Sequence, residues 1–146
     1  KGRKMSQEHA LPIMEIEKTI RDFYPEVQAI YLFGSFARGN AQYDSDVDIA
    51  ILLPPERAKA VGSIAFSDCA EALSESLDRF VDLVNLREAN TVFQHEIVQT
   101  ALRLYAGDEN ESAVFEMLVL SFYQKLNEER RGILENILQS GRVLKE

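Results

Sequence analysis

The chain has 146 residues, of which 46% are apolar, and it carries a formal net charge of −8 at pH 7. That length and apolar content predict one soluble domain with a single hydrophobic core. The acidic charge disfavours DNA or RNA as a direct partner. A polyanion is repelled unless Lys and Arg gather on one face, and after residues 1–4 no run of them occurs apart from Arg130 and Arg131.

The single cysteine, Cys69, excludes an internal disulfide framework, and no histidine or cysteine pairs stand at the spacing of a zinc site. We therefore expect a protein of the reducing cytoplasm. Unbroken apolar runs are far shorter than the roughly 18 residues that a membrane-spanning helix needs, so we expect no membrane anchor. Residues 1–4 precede Met5 and resemble an expression scar, which leaves residues 5–146 as the predicted domain.

The chain begins with a predicted helix and a predicted strand. Over residues 12–24, apolar side chains recur at helical spacing until Pro25 ends the pattern. The apolar residues of this helix are Ile13, Ile16, Ile20 and Phe23. Residues 27–33 form a short β-branched and aromatic run, which predicts a buried strand that Gly34 stops.

Two further strands carry acidic residues. Residues 47–53 are apolar apart from Asp48 and predict a second strand, which Pro54 terminates. An amphipathic helix follows, with apolar residues at Phe66, Ala70, Leu73 and Leu77. Residues 80–86 predict a third strand with Asp82 in its interior.

The last third of the chain predicts a helix, an ambiguous run and a long helix. The first helix has apolar residues at Phe93, Ile97 and Ala101. Residues 102–105 either continue it or form a short edge strand. Residues 112–138 predict a long C-terminal helix, whose apolar face we interpret as chiefly core and in part as a surface for a partner. That face comprises Phe115, Leu118, Phe122, Leu126, Ile133, Leu134, Ile137 and Leu138.

Three aspartates indicate a site for a divalent cation. Strand alternation puts Asp46 and Asp48 on the same face, where two like charges repel unless a cation lies between them. Asp82 lies in another apolar strand, so its burial needs the same explanation. Three carboxylates on neighbouring strands suit a hard, oxygen-preferring ion such as Mg²⁺.

A glycine-serine turn precedes the aspartates and predicts a phosphate site. Gly34 allows close approach of the backbone, and Ser35 offers an N–H and a hydroxyl at the start of a predicted short helix. Arg38, one turn later, is suited either to a phosphate or to a structural ion pair. Ser45 is more consistent with a local structural role than with a phosphate contact.

With Gly34-Ser35, ten intervening residues and Asp46-Val47-Asp48, the segment GSFARGNAQYDSDVD resembles the signature of the minimal nucleotidyltransferases, a branch of the DNA polymerase β-like superfamily. The resemblance covers approximately residues 29–86, including the strand with Asp82. Together with the predicted elements it implies an α/β fold. A small mixed β-sheet carries the aspartates and is flanked by helices, and a long C-terminal helix packs across the back.

The resemblance also implies an activity. Members of this branch act as antitoxins that transfer AMP from ATP to a tyrosine of a HEPN-domain ribonuclease toxin and release pyrophosphate. Asp46 and Asp48 would then hold one or two Mg²⁺ ions. Asp82 would complete the second metal site and help to deprotonate the hydroxyl, while Gly34 and Ser35 would hold the β- and γ-phosphates.

Two other functions are consistent with the sequence. A non-catalytic antitoxin would only mask its toxin, although intact Gly34, Ser35, Asp46, Asp48 and Asp82 argue against a vestigial site. A small-molecule nucleotidyltransferase of the aminoglycoside type would use the acidic surface to attract a cationic substrate. The short chain after the third strand favours an acceptor that belongs to a separate protein.

Overall fold

Residues 11–140 are described in the computed structural model of the chain, and they form six α-helices, four β-strands and one short 3₁₀ helix, Leu86–Glu88. The proposed scar and the domain boundary at Met5 lie outside these residues. The elements are α1 (Ile13–Phe23), β1 (Ala29–Phe33), α2 (Ser35–Arg38), β2 (Val47–Leu52), α3 (Pro55–Val61), α4 (Asp68–Leu77), β3 (Val81–Asn85), α5 (Thr91–Thr100), β4 (Leu102–Ala106) and α6 (Glu109–Ser140).

The four strands form one mixed sheet in the order β3-β2-β1-β4. Strand β1 is antiparallel to both of its neighbours, β2 and β4, whereas β2 and β3 are parallel. Helices α3 and α4 provide the long connection that a parallel pair requires. The prediction of an α/β fold with a small mixed sheet is therefore confirmed, and the ambiguous run after α5 is the edge strand β4.

Strand alternation divides the apolar side chains between two faces of the sheet. Ile49 and Ile51 of β2 face a core that also contains Ile16 and Ile20 of α1. Ala50 and Leu52 face the opposite way, toward a second core with Ile97, Phe115 and Val119 of α5 and α6. Both faces of the central strands are thus buried, which explains why their sequences read as continuous apolar runs.

Between β2 and α4, one helix was not predicted and one predicted helical residue was wrong. Pro54 and Pro55 do end β2, but they also start α3, because a proline in the first helical turn lacks only an N–H that would have no helical partner. Phe66 is not part of the amphipathic face of α4. The helix begins after Ser67, whose Oγ accepts a hydrogen bond from Ala70 N–H at 3.2 Å, and Phe66 is 94% exposed.

The long C-terminal helix is confirmed, but the prediction that its apolar face is chiefly core was wrong. Among the described residues of α6, only Ser112, Phe115 and Val119 are buried. At about 1.5 Å per residue, a 32-residue helix is about 48 Å long, which exceeds the width of the small sheet. No helix within residues 11–140 is both long and apolar enough to cross a membrane.

Asn85 at the end of β3 supports the preceding helix. Its side chain is 5% exposed, and Nδ2 donates hydrogen bonds to the carbonyl oxygens of Ala58 at 2.9 Å and Gly62 at 2.8 Å. Ala58 lies in the last turn of α3, where its carbonyl also accepts a hydrogen bond from the Gly62 N–H, and Gly62 is the residue that follows the helix. Asn85 therefore acts as a C-terminal cap that joins α3 to the sheet.

Replacing Asn85 with alanine is expected to lower the free energy of unfolding by about 2 kcal/mol, because it removes the side-chain donor of both hydrogen bonds. Urea denaturation followed by circular dichroism measures the change. The matched control is Asn136→Ala at an exposed position of α6, for which the change should stay within about 0.5 kcal/mol. Equal losses in the two variants would contradict the capping role.

Candidate active site

The glycine-serine turn lies between β1 and α2. Gly34 has φ +76°, and its carbonyl oxygen accepts hydrogen bonds from the N–H groups of Ala37 and Arg38, both at 3.1 Å. A Cβ at this position would overlap the carboxylate of Asp48. Glycine is therefore needed both for the backbone conformation and for the close approach of the turn to Asp48.

The register of the strands brings the aspartates to one end of the sheet. Asp48 of β2 pairs with Phe33 of β1 on one side and lies directly opposite Asp82 of β3 on the other. Neighbouring strands are about 4.8 Å apart, so Asp48 and Asp82 are adjacent carboxylates on one face. Asp46 is the residue immediately before β2, two positions before Asp48.

The charges of this cluster disfavour the ionised form of Asp48. Burial raises the pKa of the Asp48 carboxyl, the negative charges of Asp82 and Asp46 raise it further, and the nearby Arg38 guanidinium lowers it. A divalent cation would reverse this balance, because it favours ionised carboxylates. The cluster is therefore an acidic site whose negative charge Arg38 offsets only in part.

The donor chemistry of the cluster fits Mg²⁺, which prefers carboxylate oxygens and keeps several waters. Within residues 11–140, no three His, Cys, Asp or Glu side chains already converge in the arrangement of a metal site. The carboxylates of Asp46, Asp48 and Asp82 repel one another, which is a physical reason why they do not converge without a cation between them. Asp46, Asp48 and Asp82 are the residues that can hold the ion.

A cleft of about 460 Å³ opens beside the cluster. Six of the seven predicted site residues line it: Gly34, Ser35, Arg38, Ser45, Asp46 and Asp48. Asp82 is not in its lining and adjoins the cleft through its neighbour Asp48. The turn, the strand end and the carboxylates therefore share one concave surface.

The opposite wall of the cleft belongs to α5 and was missed by sequence reasoning. Its lining residues on α5 are Phe93, Glu96, Ile97 and Thr100. The ring of Phe93 packs edge-on against Phe33, with centroids 5.4 Å apart. The sequence showed only helical spacing here, and nothing in that pattern connects α5 with the end of β1.

Arg79 is a second residue that the sequence did not single out. Its Nη1 donates hydrogen bonds to the carbonyl oxygens of Tyr43 and Ser45, both at 2.9 Å, and its guanidinium lies over the Phe36 ring at 5.1 Å. One side chain thus connects the loop before Asp46 with α2. A lone arginine outside the motif gave no signal of this role.

Ser45 has the local contact that its polar loop suggested, because its Oγ accepts a hydrogen bond from the Gln42 N–H at 2.5 Å. Cys69 is buried, which raises the pKa of its thiol to about 12 and makes it unreactive. The His95 ring stacks on Tyr123, with centroids 3.6 Å apart. His9 lies outside the described residues.

A larger depression of about 710 Å³ lies on the outer surface of α1. Its charged side chains pair with one another, as in Arg21 with Glu17 at 3.1 Å and Lys18 with Asp22 at 3.3 Å. These are exposed pairs along one helix, and such pairs contribute little. We therefore assign the chemistry to the smaller cleft beside the aspartates.

Fold and site together define a class of protein. The strand that ends in Gly-Ser, the short helix after it and the paired carboxylates on the next two strands are the arrangement of a nucleotidyltransferase. The chain belongs to the family described as "Polymerase beta, Nucleotidyltransferase", which matches residues 15–110. The resemblance that the motif indicated is thereby confirmed.

Known relatives cover most of the chain. The protein adenylyltransferase MntA of Shewanella oneidensis is 37% identical over 124 residues, which are 85% of this chain and 86% of the relative. A crystal structure of a toxin-antitoxin with AMP-PNP matches with a TM-score of 0.70 and 34% identity, covering 88% of this chain and 99% of that one. A third match is a chain in a structure of tri-AMPylated S. oneidensis HEPN toxin in complex with MNT antitoxin. It has a TM-score of 0.61 and 32% identity, and the match covers 86% of this chain and 95% of that one.

Proposed function

We propose that this chain is an antitoxin that transfers AMP from ATP to a tyrosine hydroxyl of a HEPN toxin and thereby neutralises it. The observation that carries the proposal is the Gly34-Ser35 turn seated against Asp48, with Asp46 and Asp82 beside it. The names of the relatives support the same reaction, since one is a protein adenylyltransferase and another is an antitoxin bound to an AMPylated HEPN toxin.

Each residue of the cleft has its own role in the proposed reaction. The N–H and hydroxyl of Ser35 bind phosphate oxygens at the turn, and Gly34 allows the triphosphate to approach the backbone. Arg38, at the other end of α2, lines the same cleft, which supports a role in binding the departing pyrophosphate. Asp46 and Asp48 hold the cation, with Asp82 beside them.

Mg²⁺, when bound, stabilises the charge on the entering and departing oxygens of an in-line displacement. The bond between the tyrosine oxygen and the α-phosphorus forms as the bond from that phosphorus to the bridging oxygen of the β-phosphate breaks. Pyrophosphate leaves. A phenol has a pKa near 10, so the reaction needs a base near neutral pH, and Asp82 is the carboxylate we assign to accept the proton.

The proposed setting is the cytoplasm, where ATP is available and the free thiol of Cys69 remains reduced. ATP is the proposed nucleotide and Mg²⁺ the proposed ion. The glycine-serine turn contacts phosphates, which every nucleoside triphosphate shares. A competition series with the other triphosphates would establish the preference for the base.

The decisive experiment incubates the purified chain with Mg²⁺, α-labelled ATP and a candidate HEPN partner. We expect label on the toxin, a mass increase in whole AMP units on a tyrosine peptide and loss of ribonuclease activity. Neutralisation without label would instead indicate a masking antitoxin. Label on kanamycin, offered as a parallel acceptor, with none on the toxin would indicate a small-molecule enzyme.

Replacing Arg79 with methionine is expected to slow AMP transfer about tenfold. The variant removes both hydrogen bonds to the loop before Asp46, and a carboxylate displaced by a fraction of an ångström loses productive geometry. Initial rates with labelled ATP measure the effect. Arg21→Met on the exposed face of α1 is the matched control, and a similar loss in both variants would rule out the positioning role.

A further inference from the structure

The second half of α6 extends beyond the part of the domain that it packs against. Helix α6 spans 32 residues, and its buried residues Ser112, Phe115 and Val119 all belong to the first three turns. Among residues 120–140 every side chain is exposed or only partly buried. That segment of 21 residues is about 30 Å long, since each residue adds about 1.5 Å.

The exposed segment continues the apolar face of the buried turns. At about 100° per residue, Leu126, Ile133 and Ile137 fall on the same side of the helix as Phe115 and Val119. We call the apolar side chains along this side the α6 stripe, which Glu129 and Arg130 interrupt between Leu126 and Ile133. It consists of Leu118, Phe122, Leu126, Ile133 and Ile137.

The α6 stripe is open to solvent. Leu118 is 47% exposed, Phe122 is 55% exposed and Ile133 is 62% exposed. At the N-terminal end of the stripe, Leu118 and Phe122 line a cleft of about 330 Å³. Lys59 and Arg87 also line this cleft. A helix that projects about 30 Å with one apolar side gains little stability without a partner, because helices depend chiefly on packing of that side.

The charge of the chain argues against a second copy as that partner. Each chain carries a formal net charge of −8, so two copies repel, whereas a basic protein is attracted. A ribonuclease binds a polyanion and therefore presents basic surface. The HEPN toxin, as a ribonuclease, meets this requirement and also supplies the acceptor of the reaction.

We propose that the α6 stripe is the docking surface for the HEPN toxin, an inference that rests on the proposed function for the identity of the partner. Docking on this surface leaves the cleft beside the aspartates open for ATP. Helix α5 joins the two surfaces. It contributes Glu96 and Thr100 to the nucleotide cleft, and its His95 stacks on Tyr123 of α6.

The test uses the full chain with Ile133→Asp and Ile137→Asp together. Ile133 is exposed and Ile137 is only partly buried, so the variant is expected to fold, which circular dichroism checks. The matched control is Gln124→Asp with Gln139→Asp, which adds the same charge to the opposite side of α6. Affinity for the purified HEPN protein is measured by isothermal titration calorimetry without nucleotide, and AMP transfer is measured with labelled ATP.

We expect the stripe variant to bind the toxin about a hundredfold more weakly, because it places two charges in the C-terminal half of an apolar docking surface. Transfer should recover at high toxin concentration, with KM raised and kcat little changed, and the control should behave as wild type. Wild-type affinity in the stripe variant would overturn the proposal. So would a wild-type homodimer that the same substitutions dissociate, since a second copy would then cover the stripe.

The two proposals fail separately. Loss of binding in the stripe variant, combined with no AMP transfer by the wild-type chain, would support the docking surface and reject the transferase. Efficient labelling of the toxin by a stripe variant that binds normally would support the transferase and reject the docking surface.

Discussion

The double variant Asp46→Asn, Asp48→Asn is expected to transfer AMP at least about a thousandfold more slowly than the wild-type chain. The two substitutions remove the charges that attract Mg²⁺, and a metal contributes several kcal/mol to stabilising the transition state. Initial rates of label transfer to the HEPN toxin measure the loss. The side chains keep nearly the same volume, so packing at the start of β2 is preserved.

Measurements of toxin affinity and of Tm distinguish a loss of catalysis in the double variant from a loss of folding. The double variant should bind the toxin with wild-type affinity, because the α6 stripe is unchanged. Millimolar Mg²⁺ with ATP should raise the Tm of the wild-type chain and leave the Tm of the variant unaltered. Rapid transfer by the variant, or an equal Mg²⁺ response in both proteins, would contradict the assignment of the aspartates.

The same variant should be more stable than the wild-type chain at pH 7 when no divalent ion is present. Burial and the neighbouring aspartates raise the pKa of Asp48 in the folded protein, so folding is opposed when this group is charged. Wild-type stability should therefore increase as the pH falls through that raised pKa toward the unfolded-state value. The variant cannot ionise at Asp48 and should lack this part of the pH dependence.

The variant Gly34→Ala is expected to lower the rate of AMP transfer by at least about a hundredfold. A side chain at Gly34 would overlap the Asp48 carboxylate, so either the turn or the metal ligand must move. A displacement of about 1 Å in a reacting geometry costs on the order of 100-fold. The positive φ of +76° adds strain of about 1–3 kcal/mol, which thermal unfolding detects.

Gly39→Ala is the matched control for this effect. Gly39 also has a positive φ, +79°, but a Cβ there would meet no atom within 4 Å. Its variant should lose stability of about 1 kcal/mol and keep most of the activity. If the two alanine variants lost activity equally, backbone strain rather than contact with Asp48 would be responsible.

Local patterns anticipated much of this fold because they follow directly from backbone geometry. Continuous apolar runs around Ile30 and Ile49 indicated buried strands, and both strands are buried on two faces. The errors arose where the same residue type serves two purposes. Pro54 and Pro55 end a strand and start a helix, and Phe66 continued a helical spacing although the helix begins only after Ser67.

The residues of the site also divide into those that the sequence indicates and those that only the structure reveals. The spacing of Gly34, Ser35, Asp46 and Asp48 was visible because the four residues belong to one strand-turn-strand segment. Arg79 and the α5 wall of the cleft were not visible, since they reach the site from distant parts of the chain. The spacing of apolar residues in a helix does not predict which strand end that helix packs against.

The sequence by itself determined the class of protein, the spacing of the motif residues and the acidic charge, because these depend on which residues stand at which positions. The tertiary structure decided which surfaces are covered. The register of β2 and β3 set Asp48 opposite Asp82, and the small sheet left most of α6 without a packing partner. Burial depends on how far the folded domain extends, and the apolar pattern of a single helix contains no information about that extent.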